Sequence, residues 1–196
     1  MIKNNYSFLQ KVKLAIWLLR TKIISTKARI IRFPFDIRGR KFIDLGNNLT
    51  TGVGCRLEAF SSDGKKTLFF GNNVQINDYV HISSMKEVRI GNNVLMAGKI
   101  YISDNSHGYY KGNDQDSDPN IIPIQRPYLC NSVFIEDNVW IGESVTILPG
   151  VIIGRGAIIG ANSVVSTNIP AYSIAVGQPA KVIKRYNFDL QKWIKI

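Results

Sequence analysis

Scarcity narrows the chemistry of this chain before any motif does. Among 196 residues there are two cysteines, Cys55 and Cys130, and two histidines, His81 and His107. Two cysteines at or near strand positions do not make a disulfide framework, so a reducing compartment is expected and both read as small buried hydrophobes. Two histidines disfavour a zinc site built from three imidazoles. They also limit to two the side chains best matched to proton transfer near neutral pH. The uncharged stretch of the N-terminal segment, Leu14 to Leu19, has six residues, far short of the roughly 20 needed to cross a bilayer. It is short for a signal-peptide core as well, and no small-x-small cleavage site follows, so the expected location is the cytoplasm or the inner face of its membrane.

Acidic residues are few, 14 against 25 Lys and Arg, for a net charge of +11. The imbalance sits at the two ends. Residues 1–41 carry +10, with Asp36 as their one acid; residues 181–196 carry +4; the remainder is about −3. The middle of the chain is therefore not a polyanion-binding surface by composition, but its termini are basic.

What is abundant is a six-residue period. From Ile135 to Pro170 the chain reads IEDNVW, IGESVT, ILPGVI, IGRGAI, IGANSV, VSTNIP. The same phase recurs in LGNNLT, TGVGCR and LEAFSS from Leu45, in FGNNVQ, INDYVH and ISSMKE from Phe70, and in IGNNVL, MAGKIY and ISDNSH from Ile90. Such a period encodes a solenoid in which each hexad is one short strand and a corner, and three hexads close a coil. The opening residue of each hexad faces inward and stacks on its equivalent one coil away, about 4.8 Å along the axis. The Gly and Asn that follow take the corners, where positive φ is cheap for them. The openers are Leu45, Thr51, Leu57; Phe70, Ile76, Ile82; Ile90, Met96, Ile102; Ile135, Ile141, Ile147; and Ile153, Ile159, Val165, which predicts five coils across residues 42–180.

Two breaks in phase, at 61–68 and 86–89, read as corner insertions. The large break, residues 108–132, is rich in Gly, Pro, Asn and Asp and has no period. Loops of this length inside a compact repeat are usually functional, and this one leaves the solenoid directly after His107. Its NDQDSD stretch, Asn113 to Asp118, is not a calcium loop, because Pro119 stands where the sharp-turn Gly is needed and Gln125 where the bidentate Glu is needed. Residues 1–41 form a separate basic segment. Phe8, Val12, Ala15, Ile16, Leu19 and Ile23 fall at helical spacing, with Lys11, Arg20 and Lys22 off that stripe. Two readings stand side by side: a cap on the open first coil, and an interfacial helix on an anionic membrane face. Residues 181–196 are expected to be a basic tail or helix.

The run from Asp137 to Tyr186 resembles the carboxyl-terminal half of the hexapeptide-repeat acetyltransferases of the galactoside and maltose O-acetyltransferase type. DNSHGYY, the long loop and the closing PAKVIKRY resemble the branch that acetylates sugars of lipopolysaccharide O-antigen or capsule. The resemblance covers about residues 45–186. It implies a left-handed parallel β-helix, a homotrimer, and acetyl-coenzyme A bound between subunits as cosubstrate, with no metal. It implies that His107 is the general base, and that Trp140 lies beside the catalytic His across the subunit boundary, lining the acetyl and acceptor pocket. It implies further that Gly142, Glu143, Ala161, Ser166 and Thr167 line the coenzyme groove while Lys181 and Lys184 reach its phosphates. Thr167 departs from the pattern, in which Lys is common, and Arg185 is the candidate to compensate.

The chemistry agrees with that assignment, because an alcohol attacks a thioester only once its proton is taken. Asn77, Tyr109 and Tyr110 are candidates for the acceptor side. His81 is read equally as acceptor-lining or structural. The leading expectation is direct acetyl transfer to a sugar hydroxyl of a surface polysaccharide or its precursor. Acetylation of an amino sugar and a non-catalytic solenoid docking on a polyanion are the alternatives.

Overall fold

The computed structural model describes residues 6–196; the first five residues of the basic N-terminal segment lie outside them. The hexads fold as read. All fifteen opening residues are buried, from Leu45 through Val165, and stack in three parallel ladders. The fifth residue of the hexads is inward as well: Leu49, Cys55, Val74, Val80, Val94, Ile100, Val139, Val145, Val151 and Ala157 are all buried. Most hexads thus place two side chains in the core and one, between them, outside; in LEAFSS, ISSMKE and ISDNSH the fifth residues, Ser61, Lys86 and Ser106, are not buried.

The first face carries Ile43–Asp44, Leu68–Phe70, Val88–Ile90, Val133–Ile135 and Ile152–Ile153. The second carries Thr50–Thr51, Gln75–Ile76, Leu95–Met96, Trp140–Ile141 and Ile158–Ile159. The third carries Phe35–Arg38, Cys55–Ala59, His81–Ser84, Tyr101–Ser103, Thr146–Ile147 and Val164–Val165. The coil therefore starts upstream of its first readable hexad, because Ile30 bridges to Thr50 and Phe35–Arg38 pairs with Cys55–Ala59. Those residues carry no hexad phase, so only the pairing reveals them.

Corners follow the expectation for Asn and for the fourth-place glycines Gly54, Gly150 and Gly156, which take positive φ, and depart from it for second-place glycines such as Gly142. Asn48, Asn73, Asn93 and Asn138 take positive φ at the fourth place of their hexads and join side chain to side chain along the axis at 3.1–3.2 Å. Gly142, at a second place, is required by proximity instead: a Cβ there would stand 2.6 Å from the amide nitrogen of Ala161.

The helix α1, Phe8–Ile24, starts with a capping box in which Ser7 and Gln10 exchange hydrogen bonds. It caps the first coil, but with a different stripe from the one its spacing suggested. Leu14, Trp17 and Ile24 are half-buried and Thr21 is fully buried. The Thr21 hydroxyl accepts from the Ile31 amide at 2.8 Å and donates to the Trp17 carbonyl at 2.6 Å, tying helix to coil. The expected core stripe faces outward, with Phe8 78% exposed, Leu19 73% and Ile23 86%.

The C-terminal segment is neither a loose tail nor a helix. After Ser173–Val176 joins the second face in parallel, Lys181–Asn187 and Lys192–Lys195 extend it as an antiparallel hairpin. Tyr186 packs edge-on against Phe188 and Trp193, with ring centroids 5.0 and 5.3 Å away. The physical reason is the open edge of the last coil, whose backbone groups need partners that a helix would not supply.

Candidate active site

His107 ends the strand Asn105–His107, which pairs antiparallel with Tyr128–Cys130. The intervening residues form an arm that leaves the third face. The arm is internally bonded. The Tyr110 hydroxyl donates to the His107 carbonyl at 2.9 Å and accepts from Arg126 at 2.7 Å, and Arg126 also holds the Pro119 and Ile121 carbonyls. Gly108 has φ +95°, and a side chain there would strike the Tyr110 hydroxyl. The His107 ring packs against Tyr128, tilted by 44° with centroids 4.5 Å apart, and stays solvent-exposed. Of the two acceptor-side tyrosines, Tyr110 uses its hydroxyl to brace the His107 backbone, while Tyr109 is held by its main chain, its N–H donating to the Ser117 hydroxyl and its carbonyl accepting from the Ser117 amide.

The root of the arm is a residue that the sequence reading passed over. Asp104 is fully buried. Its carboxylate accepts from the amides of Met85, Lys86 and Glu87 at 2.7–2.8 Å, and from the Ser84 hydroxyl and the Asn105 amide group. It clamps the corner insertion at 86–89 to the base of the strand that presents His107. The available signal was the coincidence of a corner insertion with an acid one coil later, which periodicity alone does not weigh.

Trp140 projects from the second face and is 51% exposed. Its register line runs Gln75, Leu95, Trp140, Ile158, Ile174, Lys184. The face thus changes along the axis from apolar to basic, spanning about 14 Å from Trp140 to Lys184 at three strand spacings. Lys181, opposite Val176, lies on the same side; Arg185 pairs with the inward Ser173, on the other. Gly142, Glu143 and Ala161 sit at the corner between second and third faces, where Glu143 meets Lys99 at 3.5 Å. Ser166 and Thr167 follow Val165 at a different corner, between third and first faces. Within one chain, therefore, His107 and Trp140 stand on different faces, and the coenzyme candidates divide between two corners.

His81 is held on the third face. Its Nε2 lies 2.9 Å from Glu58, a carboxylate only 5% exposed that also accepts from Arg38 and Arg56 at 2.7 and 2.9 Å, and its ring packs against Tyr101. Burial pushes the Glu58 carboxyl up, but the hydrogen bonds and charges of His81 and Arg56 outweigh it and hold the group below its usual range. Asn77 belongs elsewhere, in a cavity between the second-face corner and α1. Burial pushes the Cys55 thiol up to about 11, and its Sγ donates to the Asn77 carbonyl. Burial also raises Cys130. Neither thiol is a thiolate nucleophile near neutral pH.

The bacterial transferase hexapeptide (six repeats) family matches residues 132–167. Over 99% of its length the chain is 45% identical to WbbJ of Escherichia coli (strain K12), covering 97% of a protein whose name describes a lipopolysaccharide biosynthesis O-acetyl transferase. Among solved structures, a mutant of AntD, an N-acyltransferase from Bacillus cereus, in complex with dTDP-4-amino-4,6-dideoxyglucose and coenzyme A, is 21% identical. It superposes with a TM-score of 0.68, covering 96% of this chain and 94% of that one. AntD with dTDP and 3-hydroxybutyryl-CoA gives 20% identity and a TM-score of 0.67, over 96% and 93% of the two chains. At that identity the likeness is one of fold.

Proposed function

Because this chain belongs to the bacterial hexapeptide-repeat transferases, whose coils wind left-handed, we propose that it transfers acetyl from acetyl-coenzyme A to a sugar hydroxyl of a surface polysaccharide or its precursor. The observation that carries the reading is the outer line of the second face. Leu95, Trp140, Ile158 and Ile174 offer apolar surface to a pantetheine arm, and Lys181 and Lys184 stand at its end for phosphates. An exposed Trp on such a line invites cover by ligand or subunit.

His107 is the base. It removes the acceptor's hydroxyl proton as that oxygen attacks the thioester carbonyl, and the proton then passes to the departing thiolate. The arm supplies reach: a His that stayed on the third face would not meet the second-face groove of its own chain. A homotrimer resolves the separation, with the His107 arm of one subunit extending to the Trp140 groove of its neighbour, and the Ser166–Thr167 corner facing the Gly142–Ala161 corner. As the acceptor oxygen bonds to the carbonyl carbon, the C=O π pair moves onto the carbonyl oxygen, a charge that strand-edge amides are suited to stabilise. With Cys55 buried, Cys130 half-buried against the expectation, and both thiols raised by burial, transfer is direct.

The outward stripe of α1 supports contact with an anionic membrane face. Phe8, Leu9, Ile16, Leu19 and Ile23 are exposed, and the helix contains no acid. Among the described residues no helix is long and apolar enough to cross a membrane, so the contact is one of surface. The experiment for the whole proposal is mass spectrometry of the surface polysaccharide from cells expressing wild type or His107→Ala. Loss of the mass of one acetyl group per repeat in the variant is expected; identical spectra would reject the acceptor class.

A further inference from the structure

The coenzyme line on the second face has a direction. It runs from Leu95 in the third coil through Trp140 to Lys184, so its thioester end lies at the third and fourth coils. The acceptor then comes from the level of the second and third coils. At that level the arm carries His107 away from the third face, and the third face itself is left without a task.

Its outward line there reads Arg56, His81, Tyr101, Thr146. His81 and Tyr101 are neighbours on it, with ring centroids 5.1 Å apart and planes tilted by 51°. Tyr101 is 38% exposed, and its hydroxyl has no partner among the described residues. The His81 ring is oriented: Nε2 lies 2.9 Å from the buried Glu58, and Nδ1 has no partner among the described residues. Glu58 is fixed in turn by Arg38 and Arg56. That fixation carries a cost, because Arg56 reaches Glu58 through Nη2 and leaves its own buried Nε–H unmet. Polar groups continue from this step to the root of the arm. Glu58, Ser83 and Ser103 follow one another on the adjoining line. The Asn105 side-chain amide donates to the Ser83 hydroxyl at 3.4 Å, and the Ser103 hydroxyl donates to the Asn105 carbonyl at 2.9 Å.

An exposed aromatic body beside an oriented imidazole is complementary to a pyranose. The aromatic ring covers the C–H face of the sugar, and the free ring nitrogen bonds a hydroxyl, accepting when the imidazole is neutral and donating when it is protonated. We infer that His81 and Tyr101 form a pyranose-binding subsite on the third face, with Glu58 as the positioning residue that aims His81. His107 has left this face, so the sugar held here adjoins the one acetylated, and its hydroxyl pattern selects the glycan. That the sugar belongs to the acetyl acceptor rests on the transferase reading above; the binding itself does not.

The probe is the oligosaccharide repeat released from the unacetylated surface polysaccharide of cells lacking this gene. Its binding to the full-length protein is read by saturation-transfer NMR without acetyl-coenzyme A, and its KM by thiol release once acetyl-coenzyme A is added. Tyr101→Ala should weaken the probe about tenfold or more in both readouts. Tyr101→Phe should restore it, because the ring and not the hydroxyl makes the contact. His81→Ala should weaken binding by up to about tenfold, the worth of one hydrogen bond. The KM for acetyl-coenzyme A and the thermal midpoint should stay near wild type in Tyr101→Ala, which breaks no hydrogen bond, so the test holds even where His81→Ala disturbs the Glu58 cluster. No binding of the probe by wild type, binding indifferent to Tyr101→Ala, or a loss that Tyr101→Phe does not restore overturns the inference. Wild-type protein that binds the probe through Tyr101 yet transfers nothing would defeat the transferase reading and leave the subsite standing; acetyl transfer whose glycan KM ignores Tyr101→Ala would do the reverse.

Discussion

At the residue scale, Asp104 and Glu58 show how a polar group placed inside a repeat acquires a structural task. Asp104→Ala would leave three backbone amides at 85–87 without their acceptor, each costing about 1–3 kcal/mol where buried. A fall of about 3 kcal/mol or more in unfolding free energy is expected from denaturant titration. Because the strand bearing His107 begins at Asn105, turnover should fall while coenzyme A affinity holds; Asp104→Asn, which keeps one acceptor oxygen, should lie between.

Glu58 gives the pH dependence. Its folded carboxyl titrates below the unfolded value, so its contribution to stability is present above the ordinary carboxylate range and is lost as pH falls through the lowered value. Glu58→Gln should therefore lower the unfolding free energy at neutral pH by about 1–3 kcal/mol. It should also flatten the acid decline below about pH 4. An unchanged acid limb would show that other carboxyls govern it.

At the element scale, α1 and the C-terminal hairpin show where periodicity stops being informative. The helix was legible as a helix, but it has two apolar stripes and spacing does not say which one the coil takes. The decision lies in Thr21, whose hydroxyl is within reach of Ile31, a contact across the helix and its following turn. For the hairpin, alternation in VIKRY is short and heavily charged, and the cue that matters is the unpaired edge of the last coil, a tertiary fact. The exposed stripe makes its own prediction. Ile16→Ser, Leu19→Ser and Ile23→Ser together should abolish cosedimentation with anionic vesicles while the thermal midpoint stays near wild type, because none of the three side chains is buried. Weakening of wild-type binding by salt should accompany it. Wild-type protein that ignores such vesicles would leave α1 as a cap alone. Lys22 complicates a charge-based version of the test, since its Nζ already holds the Thr26 and Ala28 carbonyls.

At the scale of the whole molecule, the coil was readable because each hexad repeats one physical instruction, two inward side chains and a corner, and errors in one hexad are outvoted by the rest. The site was readable only in part. His107 stood out by its position at the start of the arm, and Trp140 as a large apolar side chain at an outward place. Asp104, Arg126 and the Tyr110 brace did not, because Asp104 acts on amides of the preceding coil and Arg126 and Tyr110 meet across a loop that has no period.

Because His107 and Trp140 stand on different faces of one chain, the proposed mechanism makes assembly its centre. His107→Ala and Trp140→Ala proteins, each expected to be inactive alone, are purified, unfolded together and refolded as a mixture, and acetyl transfer to the acceptor glycan is measured. If each site takes its His from one subunit and its Trp from the next, random mixing restores roughly a quarter of the sites. Recovery of activity near that fraction, absent from either variant refolded alone, is the predicted result. Mixed trimers that stay as inactive as their parents would contradict it.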